Sequence, residues 1–251
     1  MPKPIRITDD MKQKAQHEFA ELLAELKMSD GKINYSKKFQ YEKAAAVLWL
    51  SPLAYRKMVA LVTACPDEVA WHGSVIRQAK NEFIIEDIFV YPQEVTGSTV
   101  NTDQERYTQW LYEFDDDAFR KMRLQGHSHV NMGVSPSGVD SGHREKILDQ
   151  LDADMFYIFM IWNKALKSHT LIYDMENNIL YEDGDITVKI VGDEDMDTFL
   201  ADAEEKVQQR KAPVIKVKAK REKAEPQGSI LDRFYRHGYS LYDAAYDPYE
   251  L

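Results

Sequence analysis

Residues 126–140 read GHSHVNMGVSPSGVD, and the order of residue types in this stretch decides what the rest of the chain has to build. His127 and His129 stand two apart. On an extended strand positions i and i+2 point to the same side, so one strand presents both imidazoles to one ion while Ser128 faces the other way. The serines and proline of SPSGVD, ahead of Ile147, Leu148 and Leu151, mark the start of a helix. Asp140 falls in its first turn, where the helix N-terminus favours an ionised carboxylate. A chain that turns back from strand to helix therefore brings a third ligand to the two histidines. Two neutral imidazoles and one carboxylate suit zinc, and three protein ligands leave a fourth position open, as in a catalytic rather than a structural site.

A lone H-x-H is usually incidental, but the full pattern H-x-H-x7-S-x2-D fixes four positions. At about one in twenty each, it arises by chance roughly 0.002 times in a chain of this length. Outward from it, the sequence alternates between helical and strand periods. DDMKQKAQHEFAELLAELK, residues 9–27, puts Met11, Ala15, Phe19, Leu22, Leu23 and Leu26 on one helical stripe, and a turn at Ser29–Gly31 follows. SPLAYRKMVALVTACPDE predicts a second helix, capped by Ser51, entered through Pro52 and ended by Pro66. VAWHGSVIRQ and NEFIIEDIFVYPQEV read as two or three strands. DQERYTQWLYEFDDDAFRKMRL returns to helical spacing, with a break expected at Asp115–Asp117. MFYIFMIWN predicts a buried strand, and SHTLIYDMENNILYEDGDITVKI a hairpin around Glu176–Asn178. This order predicts an α/β (α+β) fold, a mixed sheet flanked by helices.

With an upstream glutamate, H-x-H-x7-S-x2-D is the pattern of the JAB/JAMM (MPN+) zinc metalloproteases, and HSHVNMGVSPSGVD resembles it at every fixed position. The resemblance covers roughly residues 45–190 and extends to prokaryotic and phage-type JAB proteins. It implies the family's cytidine-deaminase-like sheet, one zinc per chain on His127, His129 and Asp140, and Ser137 as the donor that stabilises a tetrahedral intermediate. Ser137 also reads as a plain helix N-cap, and the two roles are compatible. The family's general base is a glutamate on an early strand just after a helix, in a pattern like E-x-x-G-x-L-x-G. DEVAWHGSV places Glu68 there, although Trp71 and His72 stand where small or aliphatic residues are usual. Glu82, Glu86 and Glu94 are its rivals. His72, His143 and His169 are read as packing, surface or supporting residues rather than ligands: His72 lies on the glutamate strand, His143 one helical turn beyond Asp140, and His169 reads as a turn residue.

The implied activity is hydrolysis of a peptide or isopeptide bond in a protein substrate, possible classes being ubiquitin-like proteins and proteins of phages or mobile elements. The alternative is a non-catalytic binding or assembly module on the same fold; metal-free members of the family have lost ligands, whereas all three are present here. A zinc nucleobase deaminase is excluded, because its H-x-E and P-C-x-x-C pair is absent.

Composition bounds the rest. With 251 residues, 44% of them hydrophobic, one principal domain is expected: an N-terminal helical extension over 1–44, the catalytic domain over 45–195, and a charged linker with a Tyr-rich tail over 196–251. The tail holds too many aromatics for a purely solvating segment and is expected to dock. A net charge of −10 argues against a nucleic-acid binder, since the one basic run, Lys206–Lys223, reads as a solvated linker. Cys65 is the sole cysteine, which rules out an intrachain disulfide and suits a reducing compartment. The first residues lack an apolar secretory core and no run approaches a membrane span, so a cytoplasmic protein is expected.

Overall fold

The apolar runs become the inner strands of one mixed sheet in a computed structural model that describes residues 1–25, 33–41, 45–96, 99–130, 133–193 and 195–207. The first half of the chain supplies β1 (Lys3–Pro4), α1 (Asp9–Glu25), β2 (Ala46–Leu50), α2 (Pro52–Ala64), β3 (Ala70–Ala79), β4 (Glu82–Phe89), β5 (Glu94–Thr96) and β6 (Thr99–Asn101). The second half supplies α3 (Gln104–Leu111), α4 (Asp116–Lys121), β7 (Met122–His129), α5 (Gly138–Leu148), β8 (Phe156–Asn163), β9 (Ser168–Asp174), β10 (Ile179–Tyr181), β11 (Ile186–Ile190) and α6 (Met196–Lys206). Nine strands form one sheet in the order β1-β10-β9-β8-β7-β3-β4-β2-β11, and β5 and β6 form a separate hairpin. The β7/β8, β2/β4 and β2/β11 pairs are parallel, and the other pairs of the large sheet are antiparallel.

The period of two along each strand sorts residues between two faces. On one face Trp71 and Val75 of β3, Leu124 of β7, Ile158, Met160 and Trp162 of β8 and Ile172 of β9 join the main core. Helix α2 covers that face with Ala54, Met58 and Val62, none of them exposed. Met58 and Val62 each contribute about 1.5–3 kcal/mol when fully buried, and Ala54 less. Ser51 caps α2 by accepting the Ala54 N–H, and the Lys164 ammonium donates to the Val62 and Cys65 carbonyls at its far end. On the opposite face α5 covers β8 and β9, with Ile147, Leu148 and Leu151 against Tyr157, Phe159 and Leu171. Farther along, Tyr107 and Trp110 of α3 pack on the buried His72 ring of β3. The end of β7 lies between these two covers.

Several local expectations are revised by the tertiary structure. Residues 103–124 form two short helices separated before Asp115, which caps α4, and Met122–Leu124 already belong to β7. Ala46–Leu50, for which no strand was expected, is an inner strand between β4 and β11. The hairpin around Glu176–Asn178 is present, with Asn178 at φ 55°, but β11 leaves it and crosses to the opposite edge of the sheet to lie parallel to β2. His169 is a strand residue of β9, paired with Ile161, rather than a turn residue. Helix α1 buries none of its residues: Phe19 meets Tyr35 at 5.1 Å between ring centroids, while Leu22 and Leu23 stay exposed. Within the 1–44 extension, β1 also adds a strand to the sheet edge beside β10. Leu26, the turn at Ser29–Gly31, most of the Lys206–Lys223 run and the Tyr-rich tail lie outside the described residues. No helix among the described residues is long and apolar enough to cross a membrane.

Candidate metal centre

Strand β7 runs between β3 and β8, with Ala70 opposite His127 on one side and Ile161 beside it on the other. Its odd positions, Gln125, His127 and His129, line one cavity together with residues of α5; Leu124, Gly126 and Ser128 alternate with them and face the other way. Gly126 is required there because a Cβ at this position would fall into the Trp71 indole. Ser128 has no exposed surface, and its hydroxyl accepts the Val69 N–H at 3.0 Å while its own N–H donates to the Val69 carbonyl at 2.8 Å. This double tie continues the β3/β7 ladder past Ala70 and fixes the residue before Val69, which is Glu68.

The imidazole Nε2 atoms of His127 and His129 lie 3.1 Å apart. Asp140 brings Oδ1 to 3.2 Å from His127 Nε2 and Oδ2 to 3.6 Å from His129 Nε2. One ligand atom from each of the three residues lies within 4.8 Å of the others, and a tetrahedral ion bound at about 2.0–2.1 Å separates its donors by about 3.3 Å, so small side-chain adjustments bring the three onto one ion. It is the one group of three or more His, Cys, Asp or Glu side chains among the described residues placed to hold a metal ion. The His129 Nδ1 atom stands 2.7 Å from the Gly133 carbonyl. Donation there leaves Nε2 with its lone pair directed at the triangle, the usual support for a metal-binding imidazole.

Asp140 is held by the start of its own helix. The Ser137 hydroxyl accepts the Asp140 N–H at 3.2 Å, and the Ser137 N–H donates to Asp140 Oδ2 at 2.7 Å, a complete capping box. Burial works against the Asp140 charge, but hydrogen bonds from His127 and from Ser137 outweigh it and hold the carboxyl well below the usual carboxylate range. The capping reading of Ser137 is thus present in the structure. Its hydroxyl hydrogen is not consumed by that role, because the oxygen acts there as acceptor.

Glu68 lies two residues before β3 and is 5% exposed, with no hydrogen-bond partner for Oε1. Burial raises its pKa, the His129 and His127 charges pull it down, and Asp140 pushes it up again, for a net rise. Its backbone N–H donates to the Thr96 carbonyl of the hairpin at 3.2 Å. Gln93, absent from the expected site, takes over both hydrogen bonds of Ala70: the amide oxygen accepts its N–H and the amide nitrogen donates to its carbonyl, each at 2.8 Å. A side chain thereby substitutes for a strand at the edge of the site.

Glu68, His127, His129, Ser137 and Asp140 all line one cavity of about 560 Å³. None of the rival glutamates does. Glu82 starts β4, Glu86 accepts the Ser74 hydroxyl at 3.0 Å, and Glu94 is exposed on β5. His72 also stays out of the cavity; its Nε2 pairs with the Tyr107 hydroxyl at 2.8 Å beneath α3. His143 and His169 line the cavity wall without joining the donor triangle, and His143 makes no hydrogen bond to Asp140. Comparison of the chain with protein-family models and with characterised proteins gives no match.

Proposed function

We propose that this chain is a zinc-dependent peptidase or isopeptidase of the JAB/JAMM type, which hydrolyses a peptide or isopeptide bond in a protein substrate. One observation carries the reading: two imidazoles and a carboxylate able to hold a metal ion converge within 4.8 Å of one another beside a buried carboxylate that has no partner for one of its oxygens. His127, His129 and Asp140 would hold the ion, which supplies Lewis acidity to a water molecule and to the substrate carbonyl. Three ligands from the protein and an adjoining cavity suit catalysis, because structural zinc sites are closed by four.

The chain's own groups then divide the proton work. Glu68, its pKa raised by burial, accepts a proton from the attacking water and returns it to the leaving nitrogen, an ordinary amide or the ε-nitrogen of a lysine. Ser137, exposed at the rim, donates its hydroxyl hydrogen to the carbonyl oxygen as that oxygen gains charge, while its oxygen continues to cap α5. The non-catalytic assembly module predicts no turnover, whether or not metal is bound. Metal analysis of the purified chain, followed by mass spectrometry of ubiquitin-like proteins and of peptide mixtures incubated with it, separates the two. One zinc per chain and cleavage that Glu68→Gln abolishes is the expected outcome; stoichiometric zinc in a His127→Ala, His129→Ala chain would overturn the site.

A further inference from the structure

The cavity continues past the donor triangle, away from Glu68. Its floor there is Phe159 and Leu171, from the α5 face of β8 and β9, and its wall is His143, Arg144 and His169. Its carboxylates are Glu68 and Asp140, and Asp140 is engaged by the two histidines and by Ser137. Arg144 is the one cavity residue with a permanent charge that remains positive at any physiological pH.

Arg144 has no salt bridge among the described residues. One guanidinium nitrogen donates to the Ser141 hydroxyl at a long 3.4 Å, and the Tyr173 hydroxyl is close enough to feel the Arg144 charge. A guanidinium carries five N–H donors in a planar fork that matches a carboxylate in two parallel bonds. Other cations in this protein meet carboxylates: Arg77 holds Asp174 in a bidentate pair, Lys57 holds Asp87, and Lys37 holds Glu18. A half-buried arginine on a cavity wall with only neutral hydroxyl groups beside it has its charge-pairing capacity left for what enters the cavity.

We propose that Arg144 anchors a carboxylate of the substrate, so that the site selects chains bearing an acidic side chain or a free C-terminus close to the bond it acts on. Arg144 follows Asp140 by one helical turn on the same face of α5, about 5–6 Å along the helix. An extended chain advances about 3.3–3.6 Å per residue, so the anchored carboxylate belongs to a residue one or two positions from the scissile bond. Phe159 and Leu171 receive the methylenes that lead to it. The selectivity rests on the peptidase reading above, whereas the anchor itself is a property of the cavity and is measured separately.

The full chain is titrated with three blocked probes and followed by NMR: N-acetyl-glutamate amide, with only a side-chain carboxylate; N-acetyl-glycylglycine, with only a terminal one; and N-acetyl-glutamine amide, with neither. At least one charged probe binds about tenfold or more tightly than the neutral probe, and which one does so names the source of the carboxylate. Arg144→Gln removes that preference, and Arg144→Lys, which keeps the charge but loses the fork, retains only part of it. Equal binding of all three probes to the native chain overturns the proposal. So does an undiminished preference in Arg144→Gln, or in Arg144→Lys should the first variant not fold. Hydrolysis by the zinc-loaded chain is read independently: a carboxylate preference without any hydrolysis supports the anchor and sinks the enzyme, and hydrolysis with no preference in the titration sinks the anchor alone.

Discussion

Glu68 is the residue whose burial is hardest to explain by packing alone. A carboxyl group buried with an unpartnered oxygen is costly, since each unsatisfied buried polar group forfeits about 1–3 kcal/mol. Glu68→Gln keeps the shape and removes proton acceptance. It should therefore retain zinc, measured by elemental analysis, with a melting temperature at or above the native value, while hydrolysis falls about 10²–10⁴-fold. Full activity in this variant would place the base elsewhere. His129→Ala removes a donor that is 3% exposed and braced on the Gly133 carbonyl, so metal binding should be lost even though β7 keeps its ladder. Gly126→Ala acts through shape. The added methyl meets the Trp71 indole, and overpacking of this kind costs about 1–3 kcal/mol, read as a drop of several degrees in melting temperature.

At the level of elements, the candidate site is a strand end that carries the two histidines and a helix start that carries Asp140 in a capping box with Ser137. Ser137→Ala removes the acceptor of the Asp140 N–H and should cost about 1 kcal/mol of stability. The Ser137 N–H still holds Oδ2, so metal binding should persist while the rate falls. Helix α3 makes a different prediction. His72 is buried beneath it and its pKa is lowered to about 4, first by burial and further by His143, against a hydrogen bond with the Leu124 backbone that raises it. In the unfolded chain the same imidazole titrates near its ordinary 6.5. Between those values the unfolded state binds the extra proton, so stability falls as pH drops from about 6.5 to about 4 and is unaffected by His72 above that window. The loss amounts to about 3 kcal/mol at the acid end. His72→Gln, neutral throughout, should flatten the melting temperature between pH 6.5 and pH 4 relative to the native chain; parallel curves would show that the titrating group lies elsewhere.

Over the whole molecule, the folded body extends past residue 195. Helix α6 buries Leu200 to 3% exposure, and burying one leucine side chain contributes about 1.5–3 kcal/mol. A chain ended after Asp195 should melt several degrees below one ended after Val207, measured by calorimetry. The N-terminal segment is likewise tied in, through β1 on β10, the Tyr41 N–H to the Pro2 carbonyl and the terminal amine to Asp185 at 2.8 Å. Opposite edges of the sheet, β1 and β11, are thus made by segments remote in sequence from His127, His129 and Asp140.

What the sequence determined by itself was local and chemical. The spacing of His127 and His129 put both on one face of a strand, the serine and proline before Val139 opened a helix, and Asp140 fell in its first turn; these are fixed by backbone periods and capping chemistry acting over a few residues. The tertiary structure decided what depends on residues far apart. The run AVLWL became an inner strand because β4 and β11 flank it, and a short apolar run carries no period that distinguishes strand from buried helix. Two long-range contacts brought Glu68 to the histidines, the Val69 backbone against Ser128 and the Ala70 backbone against Gln93, neither of which has a local pattern. Arg144 had no legible role for the same reason: on one helix it is an ordinary cation, and only the packing of α5 across β8 and β9 sets it on the wall of the cavity that holds the donor triangle.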